Sequence, residues 1–421
     1  MGMEMVVEHC AGIDVHQAEL TVCVRTPGRD GQRVEEIEAF GTTTPDLLAL
    51  SDWLAGRGVT QVAMEGTGVY WKPVYAVLEE GFDLWLVNAQ HVKNVPGRKT
   101  DTKDAAWLCR LLECGLLRKS FVPPPPIREL RDLTRYRKAL IRERASEVNR
   151  LHKVLEDAGV KLASVASDVL GVSGRLMLEA LVAGTSDPEA LAQLAKGKLR
   201  AKLPALRKAL AARFRDHHGF LVAQMLAHLD GLEEAIAQLS ERIAERLAPE
   251  AGALRLLISI PGVQLRTAEV VIAEIGTDMT RFPTSRHLAS WAGICPGNNV
   301  SAGKRKHGRI TKGSQWLRAA LIEAALAATH ARGYLQMKYR RVKARRGHER
   351  AVVAVAHALL EIIHRLLSTG ELYSDLGDQY FERREAENLV RRAVRQLERL
   401  GHRVTLEPAA DPTAVAPSSI S

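Results

Sequence analysis

The order of strand and helix signals over the first 120 residues constrains the fold more than any other feature of the chain. Glu8 to Val15 and Leu20 to Arg25 are apolar runs that read as strands. Gly28 to Gly31 reads as a turn, and Arg33 to Phe40 as a third, less regular strand in which Ile37 and Ala39 flank Glu38. The pattern then changes. A helix is expected from about Pro45 to Arg57, a strand over Gln61 to Glu65, a helix near Trp71 to Glu80, a strand over Asp83 to Asn88, and a helix from Asp101.

Three strands joined by hairpins and followed by alternating helices and strands is the order of an α/β ribonuclease H-like domain. On that reading four carboxylates fall where elements begin or end. Asp14 and Glu65 close apolar strands, and Asp101 and Asp104 lie three residues apart on one face of a helix start. Alone, Asp14 would be a turn aspartate and Glu65 a surface carboxylate. Together they would repel strongly without a cation, and an all-oxygen donor set suits Mg²⁺ or Mn²⁺. Two such ions about 4 Å apart orient a nucleophile and stabilise the leaving oxygen of a phosphodiester. Arg98, Lys99 and Lys103 stand close in sequence to draw in a phosphate backbone.

The chain is long enough, at 421 residues, for two or three domains with full cores. We expect domains at residues 1–122, 123–252, 253–375 and 376–421. Pro123 to Pro126 is read as a stiff extended linker. Arg128 to Gly159 and Leu226 to Leu247 carry leucines at helical spacing, as long helices paired within one chain or between chains. From Ala253 a mainly α domain is expected. Its Ile260-Pro261-Gly262-Val263 turn looks like that of a helix-hairpin-helix, with Gln264 where a second glycine is usual; plain helix packing is the competing reading. Glu407 to Ser421, rich in Ala, Pro and Ser, reads as disordered.

Charge narrows the partner. The net charge is +10, with a sequence pI near 9.4, which favours an anionic ligand, nucleic acid first. The charge is also concentrated: Met279 to Ile322 holds no Asp or Glu but carries Arg281, Arg286, Lys304, Arg305, Lys306, Arg309, Lys312 and Arg318. Five cysteines without C-x-x-C spacing indicate neither zinc nor a disulfide framework, and fit a reduced cytosolic setting. The N-terminus lacks the pattern of a secretory signal. The most apolar window, Ala351 to Leu367, is broken by His357, Glu361, His364 and Arg365, so we expect an amphipathic core helix and no membrane span.

A second chemical feature is Asn298 to Lys306. Ser301, followed by Ala302 and Gly303, is read as a hydroxyl accessible on a loop, with Lys304, Arg305 and Lys306 placed to hold a phosphate against it. Taken alone, this segment reads first as a solvated basic loop with an incidental serine. Trp316 reads as core.

These stretches carry a family resemblance: Gly12-Ile-Asp14-Val-His16, Met64-Glu65-Gly-Thr-Gly-Val-Tyr70-Trp71, Val87-Asn-Ala-Gln-His91-Val-Lys93, Gly97-Arg-Lys-Thr-Asp101-Thr-Lys-Asp104-Ala, Ile260-Pro-Gly-Val263 and Ser301-Ala-Gly-Lys304 with Lys312-Gly313. From about residue 8 to about residue 373 the chain resembles DEDD transposases of insertion-sequence family one-ten. The resemblance implies a RuvC-like N-terminal domain, a long helical (coiled-coil) middle and a mainly α C-terminal domain. It implies that Asp14, Glu65, Asp101 and Asp104 bind Mg²⁺ or Mn²⁺, that Ser301 is a nucleophile forming a covalent phosphoserine link to DNA, and that a noncoding bridge RNA pairs with donor and target DNA. A homo-oligomer, dimer or tetramer, in a prokaryotic cytoplasm at the nucleoid is the matching expectation. The rivals are a metal-dependent nuclease of the Holliday-junction resolvase kind and a non-catalytic nucleic-acid-binding scaffold.

Overall fold

The computed structural model describes residues 6–28, 32–66, 68–88, 92, 104–295, 299–301, 304–307 and 313–406, with backbone alone at 299–301, 304–307 and 382–383. The chain divides into two compact units, Met1–Pro123 and Pro124–Ser421.

In the first unit β1 (Cys10–Val15), β2 (Glu19–Pro27) and β3 (Arg33–Gly41) form an antiparallel meander. There follow α1 (Thr44–Ala55), β4 (Gln61–Glu65), α2 (Trp71–Leu78), β5 (Asp83–Val87) and α3 (Asp104–Glu113). The sheet order is β3-β2-β1-β4-β5, with β1/β4 and β4/β5 parallel. This mixed five-stranded sheet is consistent with a ribonuclease H-like domain. Successive strand residues point to opposite faces, so the sheet has two cores. On one face Ile13, Leu20, Val22 and Met64 pack against Leu47, Leu50 and Leu54 of α1 and Val74 and Leu78 of α2. On the other, Cys10, Cys23, Ala63 and Val87 meet Ala105, Leu108, Cys109 and Leu112 of α3. All five cysteines are free.

The second unit opens with α4 (Pro125–Asp157). Of the proline run only the first half is extended, with Pro124 at φ −62° and ψ 159°. Pro125 and Pro126 fill the first turn of a long helix, where a missing N–H costs no intrahelical bond and the fixed φ is already helical. Between the two long helices lie α5 (Val172–Val182), α6 (Pro188–Gln193) and α7 (Leu203–Leu210), and then α8 (Asp216–Leu247). The long helices α4 and α8 pair antiparallel within one chain: Glu129 meets Arg246, Arg144 meets Glu233 and Asp157 meets His218, around Leu140, Leu232 and Ile236. The short helices close a core with Leu151, Leu155, Val222 and Leu226.

The remainder is α9 (Ala251–Ile258), α10 (Leu265–Ile275), α11 (Ser285–Ala292), the two-stranded β6 (Asn299–Ser301) and β7 (Lys304–His307), α12 (Gln315–Ala328), α13 (Tyr334–Arg346), α14 (His348–Thr369) and α15 (Tyr380–Arg399). Gly262, in the turn between α9 and α10, has φ +88°. A Cβ there would stand 2.4 Å from the Ala324 carbonyl oxygen and 2.7 Å from the Ala328 nitrogen, so this glycine is required for close packing on α12. That supports the helix-packing reading of the turn. α14 is long and apolar enough to cross a membrane, yet Val355, Leu359, Leu360 and Ile363 are buried in the unit's core, and His364 Nε2 donates to the Phe282 carbonyl at 2.8 Å.

Candidate functional site

Register decides where the carboxylates of the first unit point. Ile13 of β1 lies opposite Met64 of β4, so the next residues, Asp14, one before the end of β1, and Glu65, the last of β4, stand side by side on adjacent parallel strands. Cys10, Gly12 and Asp14 alternate onto one face of β1, and Ala63 and Glu65 onto the same face of β4. It is the face that α3 covers. The helix lies close against β1 because residue 12 is glycine: a Cβ there would fall 2.3 Å from the Ala105 carbonyl oxygen and 2.5 Å from the Cys109 nitrogen. At its far end Glu113, 3% exposed, is held by Arg33 Nε at 2.5 Å and Arg25 Nε at 3.1 Å. Clamped at middle and end, α3 puts its first residue, Asp104, on the face that Asp14 and Glu65 share.

Asp14 keeps a side chain 27% exposed, with His16 Nε2 3.3 Å away. The structure thus gathers Asp14, Glu65 and Asp104 on one face. It does not bring their oxygens together as a set of three within 4.8 Å. Hard divalent ions are held by carboxylate donors of this kind. The donor chemistry and shared face fit a divalent cation. Asp101, Arg98, Lys99 and Lys103 lie outside the described residues, as do Arg309, Lys312 and the Glu407–Ser421 tail.

In the second unit Ser301 is not on an open loop. It is the last residue of β6, paired with Lys304 across a two-residue connection, in a short antiparallel hairpin. Lys304, Arg305 and Lys306 are consecutive residues of β7. The chain leaving the hairpin is pinned. A Cβ on Gly313 would stand 2.4 Å from the Ala292 carbonyl carbon and the Gly293 nitrogen. Next, the Ser314 hydroxyl caps α12 by accepting from the Leu317 N–H and donates to Glu274 at 2.9 Å. Glu274 is fully buried and takes a two-pronged bond from Arg135 at 2.8 and 2.9 Å. Arg131 donates to the Ala273 and Glu274 carbonyls, and burial pushes its guanidinium down to about 10.

Sequence reading missed this buried polar network, which Ser314 alone could not signal. Trp316 is half-buried instead of core, with the Arg142 and Arg135 guanidinium carbons 5.3 and 5.7 Å from its ring centre. It lines a cavity of about 260 Å³ with Arg135, Lys138 and Arg266. Arg318 is partly buried and shares a cleft with Arg142 and Ile294.

Among the described residues Asp157, His217 and His218 do have ligand atoms within 4.8 Å of one another. The hydrogen bonds argue for a structural role. His218, 2% exposed, accepts the Arg215 N–H at Nδ1, which leaves Nε2 protonated to donate to Asp157 at 3.1 Å, so both ring nitrogens are used at the start of α8.

Comparison with known proteins follows the same division. Residues 11–159 match the sequence model of a transposase family of the DEDD, IS110 type, and residues 254–340 match that of the transposase IS116/IS110/IS902 family. An uncharacterized 43.6 kDa protein of insertion element IS110 from Streptomyces coelicolor is 35% identical over 121 residues, which cover 28% of this chain and 29% of that protein. The transposase for insertion sequence element IS1111A of Coxiella burnetii is 28% identical over 70% of this chain and 73% of its own. The transposase for element IS1328 of Yersinia enterocolitica is 25% identical over 66% and 73%.

Proposed function

The chain belongs to the IS110 family of transposases, and from that premise we propose that it cleaves and rejoins DNA to excise and insert its own element, guided by a noncoding bridge RNA. The observation that carries the reading is the shared face of Asp14, Glu65 and Asp104, set by the β1/β4 register and the glycine-dependent seat of α3. Asp14, Glu65, Asp101 and Asp104 are proposed to hold Mg²⁺ or Mn²⁺. Bound there, the cation would neutralise charge on the scissile phosphate and favour ionisation of the attacking hydroxyl.

Ser301 is proposed as that hydroxyl. Its attack on phosphorus forms a Ser–O–P bond, breaks the bond to one deoxyribose oxygen, and stores the phosphodiester energy on the protein for rejoining. Lys304, Arg305, Lys306, Arg309, Lys312 and Arg318, with Arg98, Lys99 and Lys103, are proposed to grip the phosphate backbone. The working form is proposed to be a homo-oligomer acting at the nucleoid of a prokaryotic cytoplasm. The direct test is recombination between duplexes carrying the element's ends and a target site. Joined product should need divalent metal and the RNA transcribed beside the gene, and product formed equally well without that RNA would remove the guide from the account.

Phosphate grip has its own signature. Each cation that neutralises a phosphate releases condensed counterions, so replacing Lys304, Arg305 and Lys306 together with glutamine should lower the slope of log affinity against log salt by roughly 2 to 3. An unchanged slope, measured by anisotropy of labelled duplex, would assign β7 to a solvated face.

A further inference from the structure

The helical hairpin formed by α13 and α14 carries the most concentrated positive charge outside the segment already described. α13 contains Lys338, Arg340, Arg341, Lys343, Arg345 and Arg346 and no acidic residue. It passes into α14 through a single residue, Gly347, at φ +82°, whose added Cβ would meet nothing within 4 Å. Residues 343 to 350 are all exposed, a run that includes Lys343, Arg345, Arg346, His348 and Arg350 against Glu349 alone. Arg341 is paired with Glu385. Among the described residues Lys343, Arg345, Arg346 and Arg350 are in no ion pair. The tip is nevertheless ordered: Tyr339 Oη bonds His348 Nδ1 at 2.7 Å, and Lys343 Nζ sits 5.5 Å from the Tyr339 ring centre.

Helix stability explains part of this. Cations in the last turn of α13 complement the negative end of the helix dipole. Arg350 is the exception, because it lies in the first turn of α14, where the dipole disfavours a cation. Nor does one solvated stripe describe the pattern. Successive helix residues turn by about 100°, so Lys343, Arg345 and Arg346 project to different sides of the helix end.

We propose that the α13–α14 tip is a docking surface for the backbone of duplex DNA, separate from the basic hairpin of β6 and β7. Cations on several sides of a protruding helix end suit a wide groove bordered by two rows of phosphates. The B-form major groove, about 12 Å across, admits a helix, whereas the major groove of A-form RNA is too narrow for side chains to read. Unpaired strands are bound by stacking bases on aromatic faces, and the tip's two rings, Tyr339 and His348, are already engaged with each other, Tyr339 also with Lys343. The inference rests on the transposase reading for its choice of DNA, but not on the catalytic assignments.

The test compares wild type with a Lys343→Gln, Arg345→Gln, Arg346→Gln, Arg350→Gln variant, binding a labelled DNA duplex, an RNA duplex and a single strand of equal length across a salt series. Circular dichroism and melting monitor the fold. An Arg345→Gln, Arg346→Gln variant serves if the fourfold change perturbs it. The expected result is a DNA-duplex salt slope lower by roughly 3 to 4, so that the affinity lost between 50 and 200 mM salt shrinks about a hundredfold, with about half the slope change in the double variant. An unchanged slope alongside salt-dependent wild-type binding overturns this surface and leaves the transposase reading standing. An equal or larger change on duplex RNA or single strand overturns the choice of DNA. Absence of salt-dependent DNA binding in the wild type would count against both.

Discussion

Asp14→Asn should reduce DNA strand cleavage by about a thousandfold or more, while the urea midpoint of the first unit stays the same or rises. The activity loss follows from the cation: charge stabilisation by a metal is worth several kcal/mol in the transition state, and each ~1.4 kcal/mol is tenfold in rate. The stability sign follows from Coulomb's law. Asp14, near the end of β1, and Glu65, at the end of β4, stand on neighbouring strands on the face where Asp104 opens α3, so without metal repulsion between like charges is expected to disfavour the folded state there. An amide of nearly the same shape relieves it. Glu65→Gln and Asp104→Asn should behave alike, and full activity in Asp104→Asn would take that residue out of the site. A variant that unfolds at lower urea would make the carboxylate a structural group.

Ser301→Ala should abolish cleavage to a similar or greater degree, roughly ten-thousandfold, as loss of a nucleophile does in other serine enzymes. DNA binding and its salt dependence should persist, because the hydroxyl carries no charge. Nearby serines give the contrast. Ser285 and Ser290 lie within α11, and Ser314 is tied to Glu274 and to the first turn of α12. Ser314→Ala is therefore expected to lose about 1 kcal/mol of stability through the missing cap, and to keep strand cleavage where the protein is folded. Equal activity losses from Ser301→Ala and Ser314→Ala in folded protein would point to a shared structural role.

The first unit was legible because its signals are local. Apolar runs and turn residues placed the three strands of the meander, whose side chains alternate between faces, and the expected strand Gln61 to Glu65 has the bounds of β4 itself. The same alternation predicts that Asp14 and Glu65 share a face, once the register is known. The seat of α3 was not legible, because nothing in the sequence says that Gly12 faces a helix backbone 93 residues away from it, at Ala105.

The proline run misled for a physical reason: prolines forbid a helix interior but suit its first turn, and composition cannot tell a linker from a start. The β6–β7 hairpin was read as a loop because its second strand, Lys-Arg-Lys-His, has neither apolar alternation nor β-branched residues, and only cross-strand pairing reveals it. Helical leucine spacing in α4 and α8 is the same for pairing within or between chains. The Arg144–Glu233 and Arg246–Glu129 ion pairs fix it as internal.

The central claim is that Ser301 and the acidic face of the first unit act in one cleavage reaction. The most direct test traps that reaction with a suicide duplex in Mg²⁺, digests the protein and sequences the DNA-linked peptide by mass spectrometry. The account predicts a phosphodiester on Ser301 that is absent from Ser301→Ala, and absent from Asp14→Asn although that variant keeps its serine. Cleaved DNA with no protein attached, or an adduct on Ser285, Ser290 or Ser314, would contradict it.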